Sequence, residues 1–443
     1  MKTYHIITIG CQMNYADSER LAAYLDSRGF KLGNDVYKTD VVILNTCGVR
    51  QAAEDRVYGL VNQIRKYNEA AQIVITGCLS RREDVKKRLS DRADIFLPIN
   101  EVLALPKLLD GKKFQPRFSL EEIRLEQGEK YLDILPKRST SFTAYVPIGN
   151  GCNNFCSYCV VPYARGREVY RSAAEIIKEV RGLIAAGYKE IVLIAQNVNS
   201  YRSGSYDFPK LLAKLAAMPG KFWLRFFSSH PKDMSVDLIK VIATSAKVCG
   251  HLHLAVQSGD DRILKAMNRR YTAAQYKKLI KQVRAARPGM AVTTDVIVGF
   301  PGETKKQFAN TVKLFREVGF DMAYIAQYSP RPGTAAYRLN DDVPAVEKKR
   351  RARILNDLLT KTALANNRRY LHQTVEVLID GRNRRGKYSG KAAAYQTVSV
   401  ELAKSKKTKN QIGRGAGADL IGEFVAVKIT KARPFGLEGI LAE

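Results

Sequence analysis

Three of the chain's seven cysteines fall within eight residues, as Cys152, Cys156 and Cys159 in the run Gly151-Cys152-Asn153-Asn154-Phe155-Cys156-Ser157-Tyr158-Cys159. No other feature restricts the chain so tightly, because C-x3-C-x2-C spacing commits one loop to a metal centre. Three thiolates can hold a [4Fe-4S] cluster by three of its irons and leave the fourth open to a small molecule, whereas a purely structural cluster uses four cysteines. A structural zinc site asks for four ligands, usually with a second Cys or His pair downstream. No such pair follows: His230, His251 and His253 lie far along the chain and Cys249 stands alone.

The first hundred residues alternate short apolar runs (Tyr4 to Ile9, Val41 to Leu44, Ile73 to Ile75) with polar amphipathic stretches such as Asp17 to Arg28 and Ala52 to Asn68. That pattern predicts βαβ units in a small, doubly wound parallel α/β domain. Each run leads into a cysteine: Cys11, Cys47 and Cys78. Strand-to-helix loops all emerge at the carboxyl edge of such a sheet, so three cysteines distant in sequence can meet there as a second ligand set. Buried core thiols are the alternative, since Cys is among the most buried residue types. The small and polar neighbours favour ligands.

The charged stretch around 119–137 reads as a linker separating a first domain (1–118) from a second (138–370). In the second, strand candidates recur at Ala144 to Ile148, Ile191 to Ala195, Phe222 to Phe227, His253 to Gln257, Val292 to Val298 and Ala323 to Tyr328. Six strands at this spacing predict a partial (β/α)6 barrel; eight units need more chain. Polar groups at the strand ends, among them Gln196, Gln257, Ser258, Gly299 and Glu303, mark one rim as a ligand pocket. Helix capping and turn formation are the competing explanations for each.

Lysine and arginine number 73 against 43 acidic residues, a net charge of +30. Such a field concentrates polyanions. The excess is dense in the helix expected over Ala345 to Tyr370, with eight basic residues, and in a C-terminal module (371–443) of short strands and Gly-rich turns. There Arg382, Arg384, Arg385 and Lys387 share one turn, and Lys404, Lys406, Lys407 and Lys409 another. A small all-β barrel with cationic loops suits an RNA backbone. No apolar run is long enough to span a membrane, the start reads as a strand and not as a signal peptide, and clustered reduced thiols suit a cytoplasmic protein.

These residues resemble a known family. The cysteine loop followed by Val160-Val161-Pro162-Tyr163-Ala164-Arg165-Gly166 and Arg171-Ser172 is similar to the radical S-adenosylmethionine methylthiotransferases, and Cys11, Cys47 and Cys78 match their additional N-terminal domain. The last module resembles a TRAM domain. Gly10-Cys11-Gln12-Met13-Asn14, Gln196-Asn197-Val198-Asn199-Ser200-Tyr201 and Ser229-His230-Pro231 look most like the MiaB-type members, which act on isopentenyl-adenosine beside the tRNA anticodon. Relatives acting on threonylcarbamoyl-adenosine or on a ribosomal protein carry Gly-Cys-Lys-Val-Asn or Gly-Cys-Pro-Lys-Asn at the first cysteine. Ala195 and Ala255 depart from the family pattern.

The resemblance implies two [4Fe-4S] clusters, one on Cys152, Cys156 and Cys159 that chelates S-adenosylmethionine, and one on Cys11, Cys47 and Cys78 that carries sulfur. It implies a 5′-deoxyadenosyl radical that takes hydrogen from C2 of adenine, and methyl donation by a second S-adenosylmethionine. It places the cofactor near Gln257, Ser258, Gly299 and Glu303, with Gln196 toward the substrate and Arg165 and Arg331 as further contacts. The implied partners are the anticodon arm of tRNA, an electron donor and a sulfur source. An RNA-binding protein whose clusters are structural or redox-sensing remains the alternative from another class.

Overall fold

The computed structural model describes residues 2–49, 51–110, 131–402 and 419–442. Five parallel strands open the chain: β1 (Thr3–Thr8), β2 (Lys31–Leu32), β3 (Val41–Thr46), β4 (Gln72–Gly77) and β5 (Ile95–Phe96), in the order β2-β1-β3-β4-β5. The central strands are buried on both sides, which is why they read as continuous apolar runs. Val41, Ile43 and Val74 face Leu21 and Leu25 of helix α1 (Gln12–Ser27), while Val42, Leu44, Ile73 and Ile75 face Val57, Val61 and Ile64 of helix α2 (Gln51–Tyr67). This is the doubly wound sheet expected. β2 and β5 were not anticipated, because two-residue strands carry no periodic signal.

α1 begins five residues before the amphipathic stretch read from sequence. Its first turn is polar because Cys11 caps it, with the Cys11 N–H donating to Asn14 Oδ1 at 3.2 Å. Of the stretch read as a linker, 119–130 lies outside the described residues. Tyr131 and Leu132 within the remainder are buried in the N-terminal core.

Six parallel strands form the middle of the molecule: β6 (Thr143–Pro147), β7 (Glu190–Ile194), β8 (Trp223–Phe226), β9 (His251–His253), β10 (Ala291–Val298) and β11 (Met322–Gln327). The ladders β6-β7-β8 and β9-β10-β11 are joined by a parallel bridge between Ser229 and Leu254. The result is the partial six-strand barrel. The fourth strand ends at His253 and not at Gln257, because Gln257 adopts φ +67° and the chain turns there onto β10. Alternate residues face outward into one large core with the surrounding helices, among them Val146, Leu193, Leu224, Leu252, Val292 and Val296.

The long helix Ala345–Arg368 packs on the barrel through Leu355 and Leu359. Five strands between Thr374 and Leu441 then close a small barrel. The loop carrying Lys404 to Lys409 lies outside the described residues. No described helix is long and apolar enough to cross a membrane.

The two barrels are joined by Trp223 against Phe424, with ring centroids 4.7 Å apart, and by Arg225. The fully buried Arg225 guanidinium donates to Glu190 Oε1 at 2.8 Å and to the carbonyls of Ala393 and Ala392 at 3.1 and 3.4 Å. Arg225→Ala leaves Glu190 without its buried partner and is expected to cost about 3 kcal/mol, read from urea denaturation of the full chain.

Candidate cluster and cofactor site

Each N-terminal cysteine leaves the carboxyl edge of a strand. Cys47 and Cys78 directly follow β3 and β4, and Cys11 starts α1. Asn14 stitches the loops together: its Nδ2 donates to Asn45 Oδ1 at 2.9 Å and to the Thr46 carbonyl at 3.1 Å, and Asn45 Nδ2 returns a bond to the Asn14 carbonyl at 2.8 Å. The Cys78 N–H donates to the Thr46 carbonyl at 2.8 Å. Gly77 permits this approach, for at φ +80° a Cβ would lie 2.4 Å from that same carbonyl. The Val49 N–H points at Cys47 Sγ, 3.5 Å away.

The second set is built on one loop, whose start is pinned by Gln196. The Gln196 Oε1 accepts the Gly151 N–H at 2.7 Å. Gly151 takes φ +84°, with its Cα against the Arg167 carbonyl. The far side of the loop is held by the chain that follows the helix Asp261–Ala266. Ser157 N–H donates to the Met267 carbonyl at 3.1 Å, and Asn268 Nδ2 to the carbonyls of Asn154 and Phe155 at 3.1 and 2.9 Å. Donors converge on the sulfurs: Asn154 Nδ2 on Cys152 at 3.4 Å, Arg269 Nη1 on Cys156 at 3.5 Å, and Val161 N–H on Cys159 at 3.5 Å. Such hydrogen bonds tune a cluster's potential.

The two sets face one another across the domain contact. Burial pushes the Cys11 and Cys159 thiols up, and Cys78 adds to the rise at both. Arg165 stands at this junction with its side chain almost wholly buried, donating to Asp17 Oδ2 at 2.7 Å and Asn150 Oδ1 at 3.0 Å. Burial alone would depress it; Asp17 and then Cys78 hold it well above its ordinary value. Arg331 makes a parallel contact beside Cys47, donating to Glu54 Oε2 and Gln51 Oε1, each at 2.9 Å. Both arginines tie the barrel to the N-terminal domain.

Among the described residues no three Cys, His, Asp or Glu side chains converge as around a single metal ion. The donor sets, three thiols each with N–H groups or an arginine beside them, fit iron–sulfur clusters.

Gln257, Ser258, Gly299 and Glu303 lie on adjacent strand ends, brought together by the bridge between Gln257 and Val296. The Ser258 hydroxyl accepts the Asp260 N–H at 3.2 Å and sits 3.4 Å from Thr311 Oγ1. Glu303 Oε2 accepts the Gly299 N–H and Arg351 Nη1, both at 2.7 Å. Glu303 therefore shapes the Gly299 turn, while its Oε1 is buried without a partner. Arg351 and the equally buried Lys348, which holds Asp341, are thereby removed from the basic face expected on the long helix.

Three family models match the chain: Uncharacterized protein family UPF0004 over residues 3–97, the Radical SAM superfamily over 146–315, and the TRAM domain over 368–442. The chain is 39% identical to a tRNA-2-methylthio-N(6)-dimethylallyladenosine synthase of Carboxydothermus hydrogenoformans, across 99% of both chains. It is 40% identical to the synthase of that name from Pelotomaculum thermopropionicum, across 100% of this chain and 98% of the relative. The chain belongs to this synthase family. Among solved structures, the fold is similar to a radical S-adenosylmethionine methyltransferase, TsrM, from Kitasatospora setae, at TM-score 0.57 and 15% identity over 76% of this chain and 77% of that one.

In this member of the synthase family, reading the sequence missed Arg269, which reaches Cys156 Sγ, and the Asn14–Asn45 pair. The only signal for Arg269 was an Asn268-Arg269-Arg270-Tyr271 run after a helix, ordinary in a chain this basic. His230 was read only as part of a motif. Burial, then Arg269 and Lys232, push its pKa down to about 2, and burial keeps His251 neutral as well.

Two predictions follow from this geometry in the synthase fold. Gly151→Ala forces a side chain into a left-handed turn against the Arg167 carbonyl; it is expected to cost about 2 kcal/mol in urea denaturation and to lower the iron retained after reconstitution. His230 and His251 stay neutral in the folded chain but take up protons when unfolded below their ordinary pKa of 6.5. Stability is therefore complete above pH 7 and falls as pH drops, by about 2 kcal/mol per histidine at pH 5. Denaturation curves at pH 7.5 and 5 check this, and His230→Gln should remove about half of the loss.

Proposed function

We propose that the protein adds a methylthio group to C2 of N6-isopentenyladenosine at position 37 of tRNA, in the anticodon arm. The observation that carries this reading is the joining of two three-thiol loops by the buried Arg165–Asp17 pair, in a chain alike from end to end to synthases named for that nucleoside. Cys152, Cys156 and Cys159 hold one [4Fe-4S] cluster, and Cys11, Cys47 and Cys78 a second. S-adenosylmethionine, as radical source and methyl donor, sits beside Gln257, Ser258, Gly299 and Glu303, with Gln196 toward the substrate. The functional units are 1–118, 138–370 and 371–443, joined through 119–137, and the protein works in the cytoplasm with an electron donor and a sulfur source.

The target C–H has neither an acidic proton nor a leaving group, so bound clusters and S-adenosylmethionine supply the radical and sulfur chemistry that side chains lack. The chain's own residues do the positioning. Gln196 and Asn268 fix the loop of Cys152, Cys156 and Cys159 from both sides. Arg269 places a positive charge beside Cys156, and Arg165 one beside Cys11 and Cys78. The Gln257 side chain, nearly buried on a left-handed kink, is placed to bond a polar ligand at the rim. Exposed Arg384 and Arg385 on the small barrel, and Lys349, Arg353, Lys361 and Arg368 on the long helix, meet the RNA backbone.

Anaerobic reconstitution should yield about eight irons per chain, as two such clusters require; four would remove the second cluster. Cys156→Ala is expected to abolish S-adenosylmethionine cleavage, and Cys47→Ala to spare cleavage while stopping thiolation. Mass spectrometry of tRNA nucleosides from a host lacking its own enzyme, complemented with this chain, should show methylthio-isopentenyladenosine. Finding instead a methylthio derivative of threonylcarbamoyl-adenosine, or RNA binding with no S-adenosylmethionine turnover, would replace the reading.

A further inference from the structure

The loop that carries Cys152, Cys156 and Cys159 also presents an aromatic ring to solvent. Phe155 takes φ +45°, rare for a bulky residue, and its carbonyl is held there by Asn268 Nδ2 at 2.9 Å. Its ring is 39% exposed, one residue from Cys156. The ring meets Tyr163, itself 49% exposed on the short helix Val161–Arg165, edge to face with centroids 6.1 Å apart. A third ring arrives from the far end of the barrel domain. The Ala336 N–H donates to the Ser157 carbonyl at 2.7 Å, and a shallow cleft then opens between Tyr163 and Tyr337, the latter 51% exposed, over Gly333, Thr334 and Ala335. Strained backbone persists where its surroundings enforce it, commonly at functional sites; here the surroundings keep a ring in water.

Cations border these rings. Arg338 follows Tyr337 in the cleft wall. Arg262 and Lys265 lie three residues apart on the exposed side of the helix Asp261–Ala266, whose last carbonyl accepts the Ser157 hydroxyl at 2.8 Å. Arg270 is exposed next to Arg269, which bonds Cys156. Among the described residues none of these four side chains makes an ion pair or a hydrogen bond. The carboxylates of the same segments are each drawn onto a neighbour: Asp261 Oδ1 accepts the Ala273 N–H and Asp342 Oδ1 the Gly302 N–H, both at 2.7 Å, Glu168 Oε2 accepts the Tyr170 hydroxyl at 2.6 Å, and Asp341 holds Lys348. An exposed apolar patch with a polar rim marks an interaction site, and this rim carries cations without partners.

We propose that this face docks the electron donor, a small one-electron carrier protein whose flavin or iron–sulfur group lies at an acidic surface. The proposal rests on the function proposed above and adds where the electron enters. The reduced carrier gives one electron to the cluster on Cys152, Cys156 and Cys159; no bond forms or breaks and no proton moves. Electron transfer falls steeply with distance, so the carrier must reach the thiol loop itself, and Phe155 and Tyr163 are the rings that this loop and the helix after it leave in solvent. Opposite charge steers the encounter, and transient redox complexes bury less than about 1,200 Å², a scale that three rings within a cationic rim suit. RNA is a polyanion too, but the small barrel with its cationic loops docks at the amino ends of the strands, where Trp223 and His251 open β8 and β9. The rings lie beyond the carboxyl ends.

The test is equilibrium binding of reconstituted full-length protein to two probes in turn, an acidic flavodoxin and a plant-type [2Fe-2S] ferredoxin, each at low and high salt. At least one should bind, and Lys265→Glu combined with Arg338→Glu should weaken it roughly ten-fold or more and flatten its salt dependence. Tyr337→Ser should weaken binding and leave the salt dependence in place. Arg262→Glu, outside the cysteine loop, should act in the direction of the other charge reversals, which separates docking from damage to that loop. Iron content, and 5′-deoxyadenosine formed with dithionite, should stay at wild-type levels in these variants, while formation driven by the reduced carrier falls. Binding of neither probe, or binding unmoved by the charge reversals and by Tyr337→Ser, would overturn the docking face and leave the proposed function standing. Loss of anticodon stem-loop binding in place of carrier binding would assign the face to RNA and overturn it equally. No S-adenosylmethionine cleavage by the wild type even with dithionite would defeat that function, and this proposal with it.

Discussion

The buried pair between Arg165 and Asp17 is the interaction on which the rest of the site depends. Arg165 ends the short helix that follows Cys159, and Asp17 lies on the helix that Cys11 begins. Their 2.7 Å bond therefore ties the two thiol loops to each other across a domain boundary. Two charges withdrawn from water attract strongly only when geometry is good and remaining donors are satisfied, and here Asn150 takes a second guanidinium N–H. Arg331 with Glu54 repeats the device beside Cys47. The N-terminal domain is thus locked at two points around the region where the thiol sets face each other.

That arrangement leaves the barrel rim to be finished by small local choices. Glycine precedes Cys11, Cys78 and Cys152, and at Gly77 and Gly151 the backbone turns through left-handed φ where a Cβ would strike a carbonyl. Gln196 and Asn268, distant in sequence, bond the same loop from two sides. Several of the polar strand ends serve this scaffold: Glu303 holds Arg351 and the Gly299 turn, and Ser258 caps the chain before Asp260. Each keeps a strand end in position, and only Glu303 Oε1 among these carboxylate and hydroxyl groups is left without a partner.

Much of the architecture was legible because it repeats with a period. Strands buried on both faces announce themselves as apolar runs, as at β3 and β4, and the six barrel strands recur at βα spacing. Legibility failed where the signal is shorter than a period or lies in a single bond. β2 and β5 have two residues each, and β9 stops early because one residue, Gln257, takes a positive φ. Lys348 and Arg351 look like surface cations, two of the helix's eight basic residues, yet both are buried on carboxylates outside that helix. Charge density along a helix cannot distinguish a solvated lysine from one that closes a core.

The sequence by itself determined where the two cysteine sets lie, the fold of the three units and the family, because thiol spacing, strand period and motif order are local properties of the chain. The tertiary structure alone decided that the two thiol sets confront one another, that Arg165, Arg331 and Arg269 stand beside them, and that Met13 and Tyr395, from the two flanking domains, pack on residues of the barrel. Those outcomes depend on which surfaces meet when separate cores dock. Docking is settled by buried ion pairs and ring contacts between residues more than a hundred positions apart, such as Asp17 with Arg165 and Trp223 with Phe424, and no period in the sequence encodes them.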